Sequence, residues 1–137
     1  MKLLDNVLFL AANTSRSKAY SHAMYVSGFQ ISNVLILEKL NDKKKSYKLL
    51  PSSPFSEIDG IHYPDLNKSL ESHCKKITKN ITRLKCNGVN HSSVLEYFQV
   101  KKPKLVIYSG FGGEIVPEKL LSLNIPFLHI HSGLLPE

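Results

Sequence analysis

A chain of 137 residues, 42% hydrophobic and 21% charged, has the size and make-up of one soluble globular domain with a sizeable core, and argues against a disordered segment or a fibre. The formal charge of +7 comes mostly from lysines spread along the sequence, with Lys43-Lys44-Lys45 the only tight triplet. That pattern reads as solvated surface rather than a nucleic-acid patch, although it would still attract a phosphorylated small substrate.

The first apolar run, Val7-Leu8-Phe9-Leu10-Ala11, predicts a central strand covered on both faces. It is too short for a signal-peptide core or a membrane span, so a soluble, cytoplasmic protein is expected. Asn13-Thr14-Ser15 then supplies N-cap chemistry, Ala19, Ala23 and Met24 fall near helical spacing, and Gly28 is placed to end the helix as its C′ residue. Val34-Leu35-Ile36-Leu37 predicts the second strand. Residues 41–63, with their lysines, Pro51, Pro54 and Ser52-Ser53, read as a surface excursion. Pro64-Asp65 is expected to open a helix reaching about Lys79, with Leu66, Leu70 and Ile77 on one side. Cys74 and Cys86 are the only cysteines and show neither CxxC nor ordered spacing to histidine, so two reduced thiols are expected and neither zinc nor a disulfide.

Residues 81–85 predict a third strand. Ser93-Val94-Leu95-Glu96 has the form of a capping box opening a helix to about Val100. Leu105-Val106-Ile107-Tyr108 predicts a fourth strand, Ser109-Gly110-Phe111-Gly112-Gly113 a glycine-rich turn, Pro117 the first position of a short helix through Leu123, and residues 127–131 a fifth, buried strand. The expected architecture is a Rossmann-like three-layer α/β/α domain over residues 1–137, with a mostly parallel sheet of about five strands. Three segments then converge at strand ends: Asn13 to Ser17, Ser109 to Gly113, and His129 to Gly133.

His129 and His131 stand at i and i+2, so on a strand both imidazoles point to one side, roughly 6 to 7 Å apart. Such a pair can ligate a metal if a third ligand is at hand, can be structural, or can move protons near neutral pH. Gly110, Gly112 and Gly113 let a flat ligand approach the backbone, but G-x-G-x-x-G is absent and no glycine follows the first strand, which disfavours a dinucleotide bound in the Rossmann manner. Asn13, Thr14, Ser15, Arg16 and Ser17 can either cap a helix or hold a substrate phosphate or sugar.

The segment 104–137 resembles the formyl-transfer domain of the folate-dependent formyltransferases, which act on glycinamide ribonucleotide, methionyl-tRNA or nucleotide-linked amino sugars. The family pattern of Asn-x-His, commonly Pro-Ser, then Leu-Leu-Pro reads here as His129-Ile130-His131-Ser132-Gly133-Leu134-Leu135-Pro136, and Tyr108 through Val116 resembles the folate loop at matching spacing. The resemblance implies direct formyl transfer from 10-formyltetrahydrofolate, as co-substrate, to an amine. It implies His131 as the catalytic histidine, stabilising an oxyanion and moving a proton, with His129 in the family's Asn position. It further implies Gly110, Phe111, Gly112, Gly113, Ile115 and Val116 against the pterin; Ser132 and Gly133, within the motif, join the 13–17 loop as candidate acceptor contacts.

The chain departs from the family in ending six residues past His131, before the Asp that orients the histidine, and before the strands that would flank the fifth. It is therefore expected to be a C-terminally incomplete domain, inactive alone. The acceptor implied is a small amine, by preference an amino sugar, with no membrane and no nucleic-acid partner. A folate-dependent hydrolase passing the formyl group to water, and a non-catalytic α/β binding module, remain as alternatives.

Overall fold

The structure, a computed structural model, describes residues 1–40 and 57–130. Its spine is β1 (Lys2–Ala12), flanked by β2 (Phe29–Glu38) on one side and β6 (Leu105–Ser109) on the other. β5 (Ile81–Lys85) and β7 (Phe127–His129) complete a five-stranded sheet in the order β5-β2-β1-β6-β7, every pairing parallel. Parallel neighbours need crossovers, and α1 (Ser15–Val26), α2 (Leu70–Cys74), α3 (Ser92–Lys101) and α4 (Glu118–Leu121) supply them. This is the three-layer, Rossmann-like α/β arrangement the sequence predicts.

Strand alternation divides the apolar run of β1 between two cores. Val7, Phe9 and Ala11 pack with Val34, Ile36, Leu70, Cys74 and Ile77 beneath α2, while Leu8 and Leu10 pack with Leu35, Leu37, Val94, Phe98 and Leu120 beneath α3 and α4. Both faces being covered explains why β1 reads as a continuous apolar run. The two cysteines fall in opposite cores, Cys74 in the first and Cys86 in the second, and both are free thiols.

α1 begins where expected, with Thr14 as N-cap accepting a hydrogen bond from the Ser17 amide, and ends at Gly28, whose φ of +77° suits the left-handed C′ position. Its buried face is not the alanine set: Ala23 is exposed, and Ser17 and Ser21 are the residues fully buried against the sheet. Ser17 bonds across to Ser109 of β6, while Ser21 is small and turns its hydroxyl back to the Lys18 carbonyl within the helix, so apolar periodicity does not reveal the contact face.

The expected helix from Pro64 is confined to α2. The Asp65 carboxylate accepts from the Asn67 amide and the Asp65 carbonyl from the Lys68 amide, which turns the chain instead, and Ser69 then caps α2 by accepting from Ser72 N. Within the expected excursion, β3 (Glu57–Ile58) and β4 (Ile61–His62) form a small antiparallel hairpin; the lysine triplet and both prolines lie outside the described residues. At α3 the expected Ser93–Glu96 capping box is not formed. The cap falls two residues earlier, at His91, whose Nδ1 accepts from Ser93 N at 3.2 Å, placing Ser93 inside the first turn. Strand β7 is the expected fifth strand but is not buried: Leu128 and His129 are exposed, since no strand among the described residues pairs beyond it. No helix among the described residues is long and apolar enough to cross a membrane.

Candidate functional site

The sheet order reverses at its centre, since the chain leaves β1 for β2 on one side and returns to β6 on the other. At such a switch point the two following loops turn to opposite faces and leave a crevice beyond the carboxyl ends of the strands. The loops bounding it here are 13–17, after β1, and 109–113, after β6.

These loops are fastened to one another. Ser17 Oγ, fully buried, lies 2.8 Å from Ser109 Oγ and 3.2 Å from the Ser109 carbonyl oxygen, and Arg16 Nη2 donates to the Gly110 carbonyl. Ser17 thus ties the crevice floor and does not line it. Thr14 is occupied as the α1 cap, with its own hydroxyl 3.1 Å from that of Ser17. Asn13 and Ser15 are exposed at the rim, and Arg16 is exposed apart from its bond to Gly110. Of the five residues suggested for an acceptor, Asn13, Ser15 and Arg16 are exposed, while Thr14 and Ser17 are engaged within the protein.

The glycine turn has a defined geometry. The Glu114 amide donates to the Phe111 carbonyl at 3.3 Å, closing a four-residue turn with Gly112 and Gly113 at its centre. Gly113 has φ +79°, the left-handed value a type II turn requires at its third position. Gly110 is buried and answers a different need: a Cβ there would run into the Tyr108 hydroxyl and ring, with Cε2 at 2.9 Å. Gly112 and Gly113 are exposed, Ile115 is 86% exposed, and Phe111 and Val116 are half-buried against the second core. The Lys39 ammonium, at the end of β2, sits 4.9 Å from the Phe111 ring centroid.

His129 lies opposite Tyr108 in the β6–β7 register, with ring centroids 5.6 Å apart and edge-on. The Tyr20 hydroxyl of α1 donates to the next carbonyl, Ile130 O, at 2.7 Å, which brings the third segment to the same end of the sheet. His131, Ser132 and Gly133 lie outside the described residues. No group of three or more histidine, cysteine or acidic residues among the described residues is arranged to hold a metal.

Sequence reasoning passed over two residues at the centre of this arrangement. Tyr108 is 4% exposed, and its hydroxyl has no hydrogen-bond partner among the described residues. Burial, followed by the negative charge of Glu114, pushes its phenol up to about 12, against a smaller opposing pull from Arg16. Glu114 lies under the turn: Oε2 accepts from Phe111 N at 3.1 Å and Oε1 from Val89 N at 3.0 Å. The available signal was spacing, because a glutamate three residues after Phe111 can fold back onto that amide, as the glutamate of a capping box does.

Compared with protein-family models, with curated proteins and with solved structures, the chain shows no match.

Proposed function

We propose that this chain is a formyltransferase-like domain that binds 10-formyltetrahydrofolate and directs its formyl group to an amine, in the cytoplasm. The observation that carries the reading is the meeting of the 13–17 loop, the glycine turn and the β7 end at one switch point, joined by Arg16–Gly110, Ser17–Ser109 and Tyr20–Ile130. The formyltransferase-like motif nominates the β7 end and its folate loop the glycine turn, while the 13–17 loop is nominated by its polar residues at a helix start.

The residues present suit such a ligand. Exposed Gly112 and Gly113 let a planar ring reach the backbone, and the 86% exposed Ile115 offers an apolar surface beside them. The folate derivative supplies the formyl carbon. Gly110, Phe111 and Val116 shape the turn from beneath, and a guanidinium has five N–H donors, of which Arg16 directs one to Gly110. Its other donors, with Asn13 and Ser15, suit a phosphate or sugar on the acceptor amine. His129 is exposed beside Tyr108 and can donate a hydrogen bond to a developing negative charge; His131 is proposed as the proton carrier.

Binding is the direct test. Calorimetry with a non-reactive 10-formyl-folate analogue is expected to give saturable one-to-one binding. Folded protein that shows no saturable heat would overturn the reading in favour of a non-catalytic module. Formate released from the co-substrate without any amine would move it to a hydrolase.

A further inference from the structure

Glu114 makes specific contacts that no catalytic or ligand-holding role accounts for. Its two carboxylate oxygens are divided between two different loops: Oε2 serves the Phe111 amide within the glycine turn, and Oε1 serves the Val89 amide in the turn between β5 and α3. The Glu114 amide returns a bond to the Phe111 carbonyl, so residues 111 and 114 are joined twice. On the facing side, Gly88 has φ +146° and no side chain; a Cβ there would strike Glu114 Oε1 and come within 2.9 Å of Cδ. A second tie lies nearby, the Lys119 ammonium donating to the Asn90 carbonyl at 2.6 Å.

An ionised carboxylate only accepts, which is what two converging backbone N–H groups require. We propose that Glu114 is a positioning residue, whose carboxylate clamps the glycine turn to the 86–91 turn and holds Gly112, Gly113 and Ile115 in the shape that receives the folate ring. The clamp itself stands on the geometry, while its service to a folate rests on the function proposed above. Gly88 is the counterpart of the clamp, glycine because the carboxylate occupies the space a side chain would fill. The turn therefore depends on the loop that joins β5 to α3.

The test compares the wild-type chain with Glu114→Gln, which keeps the size and supplies one acceptor oxygen while setting an NH2 against the second amide. Amide exchange by NMR is expected to quicken at Phe111 and Val89, and affinity for the 10-formyl-folate analogue to fall on the order of tenfold, with the urea midpoint little changed. Gly88→Ala attacks the same carboxylate from the other loop. It should weaken binding similarly, and the double variant should be no weaker than either alone, the non-additivity of one shared device. Additive losses would overturn the proposal, as would analogue affinity in Glu114→Gln equal to that of the wild type. Should Glu114→Gln not fold, Glu114→Asp, too short to reach both amides, takes its place under the same criteria. If the wild-type chain itself does not bind the analogue, the folate reading fails, and the clamp stands or falls on the two exchange rates alone.

Discussion

Replacing Gly110 with alanine sets a methyl carbon against the Tyr108 hydroxyl and ring, whose Cε2 would be only 2.9 Å away. Tyr108 cannot simply step aside, because it is 4% exposed, edge-on to Phe127 at 6.1 Å and to His129 at 5.6 Å. Gly110 is itself buried, so its backbone cannot relax outward freely. Overpacking of this kind costs about 1–3 kcal/mol. For a chain of this length that corresponds to a fall in Tm of roughly 3–10 °C. The assay is urea unfolding followed by circular dichroism, with His129 ring signals recorded by NMR. Tyr108→Phe provides the internal control, since it removes the hydroxyl nearest the new methyl and, with it, an unpartnered buried polar atom. Alone it should be neutral or stabilising by about 1 kcal/mol, and combined with Gly110→Ala it should restore part of the loss. A Gly110→Ala protein within about 0.5 kcal/mol of wild type, with unmoved His129 signals, would refute the packing argument.

Burial, then the neighbouring His73, Lys76 and His62, lower the pKa of His22 below its ordinary value near 6.5, so the folded state resists protonation there. His22 should be silent above about pH 6.5 and should subtract stability as pH falls from there towards its folded pKa, so His22→Gln should flatten the urea midpoint between pH 7 and 5; parallel slopes would count against this. The Cys74 thiol, pushed up to about 12 mainly by burial, should react with a thiol reagent at pH 8 only as fast as the protein opens, and immediate labelling of folded protein would contradict its place in the core. Phe98→Ala removes a fully buried ring stacked 5.9 Å from Phe127 and should cost about 3–5 kcal/mol by urea unfolding, shifting His129 signals through β7; a loss below about 1 kcal/mol would mean that this core collapses around the gap.

β1, β2 and β6 were legible because each carries an uninterrupted apolar run, and runs of that kind mark strands covered on both faces, whereas β5, with Thr82, Arg83 and Lys85, and the exposed β7 carry a weaker signal. The helices were less legible wherever polar groups govern them. Ser17 holds its place by a hydrogen bond to Ser109 and Ser21 by small size, its own hydroxyl bonding back to the Lys18 carbonyl, and hydropathy is blind to both. Asp65 and Ser69 redirect the backbone before α2 with side-chain acceptors, and His91 takes the cap that the Ser93–Glu96 spacing appeared to assign elsewhere on the helix. In the candidate site, Arg16, Gly110 and Gly113 were visible as residue types suited to their tasks. Tyr108 and Glu114 were not, because their importance arises from groups far away in sequence: Val89 for the carboxylate, and the Phe127 and His129 rings for the tyrosine.

The bonds that close the crevice join residues 92 and 94 positions apart, Ser17 to Ser109 and Arg16 to Gly110. The first β-α-β unit can assemble early from local contacts, whereas these links must await the arrival of β6 beside β1, a late and entropically expensive closure. The crevice is thus a product of the completed sheet and has no existence in a half-folded chain. A ligand seated there would select the fully assembled state, and by mass action would protect the β1–β6 seam from opening.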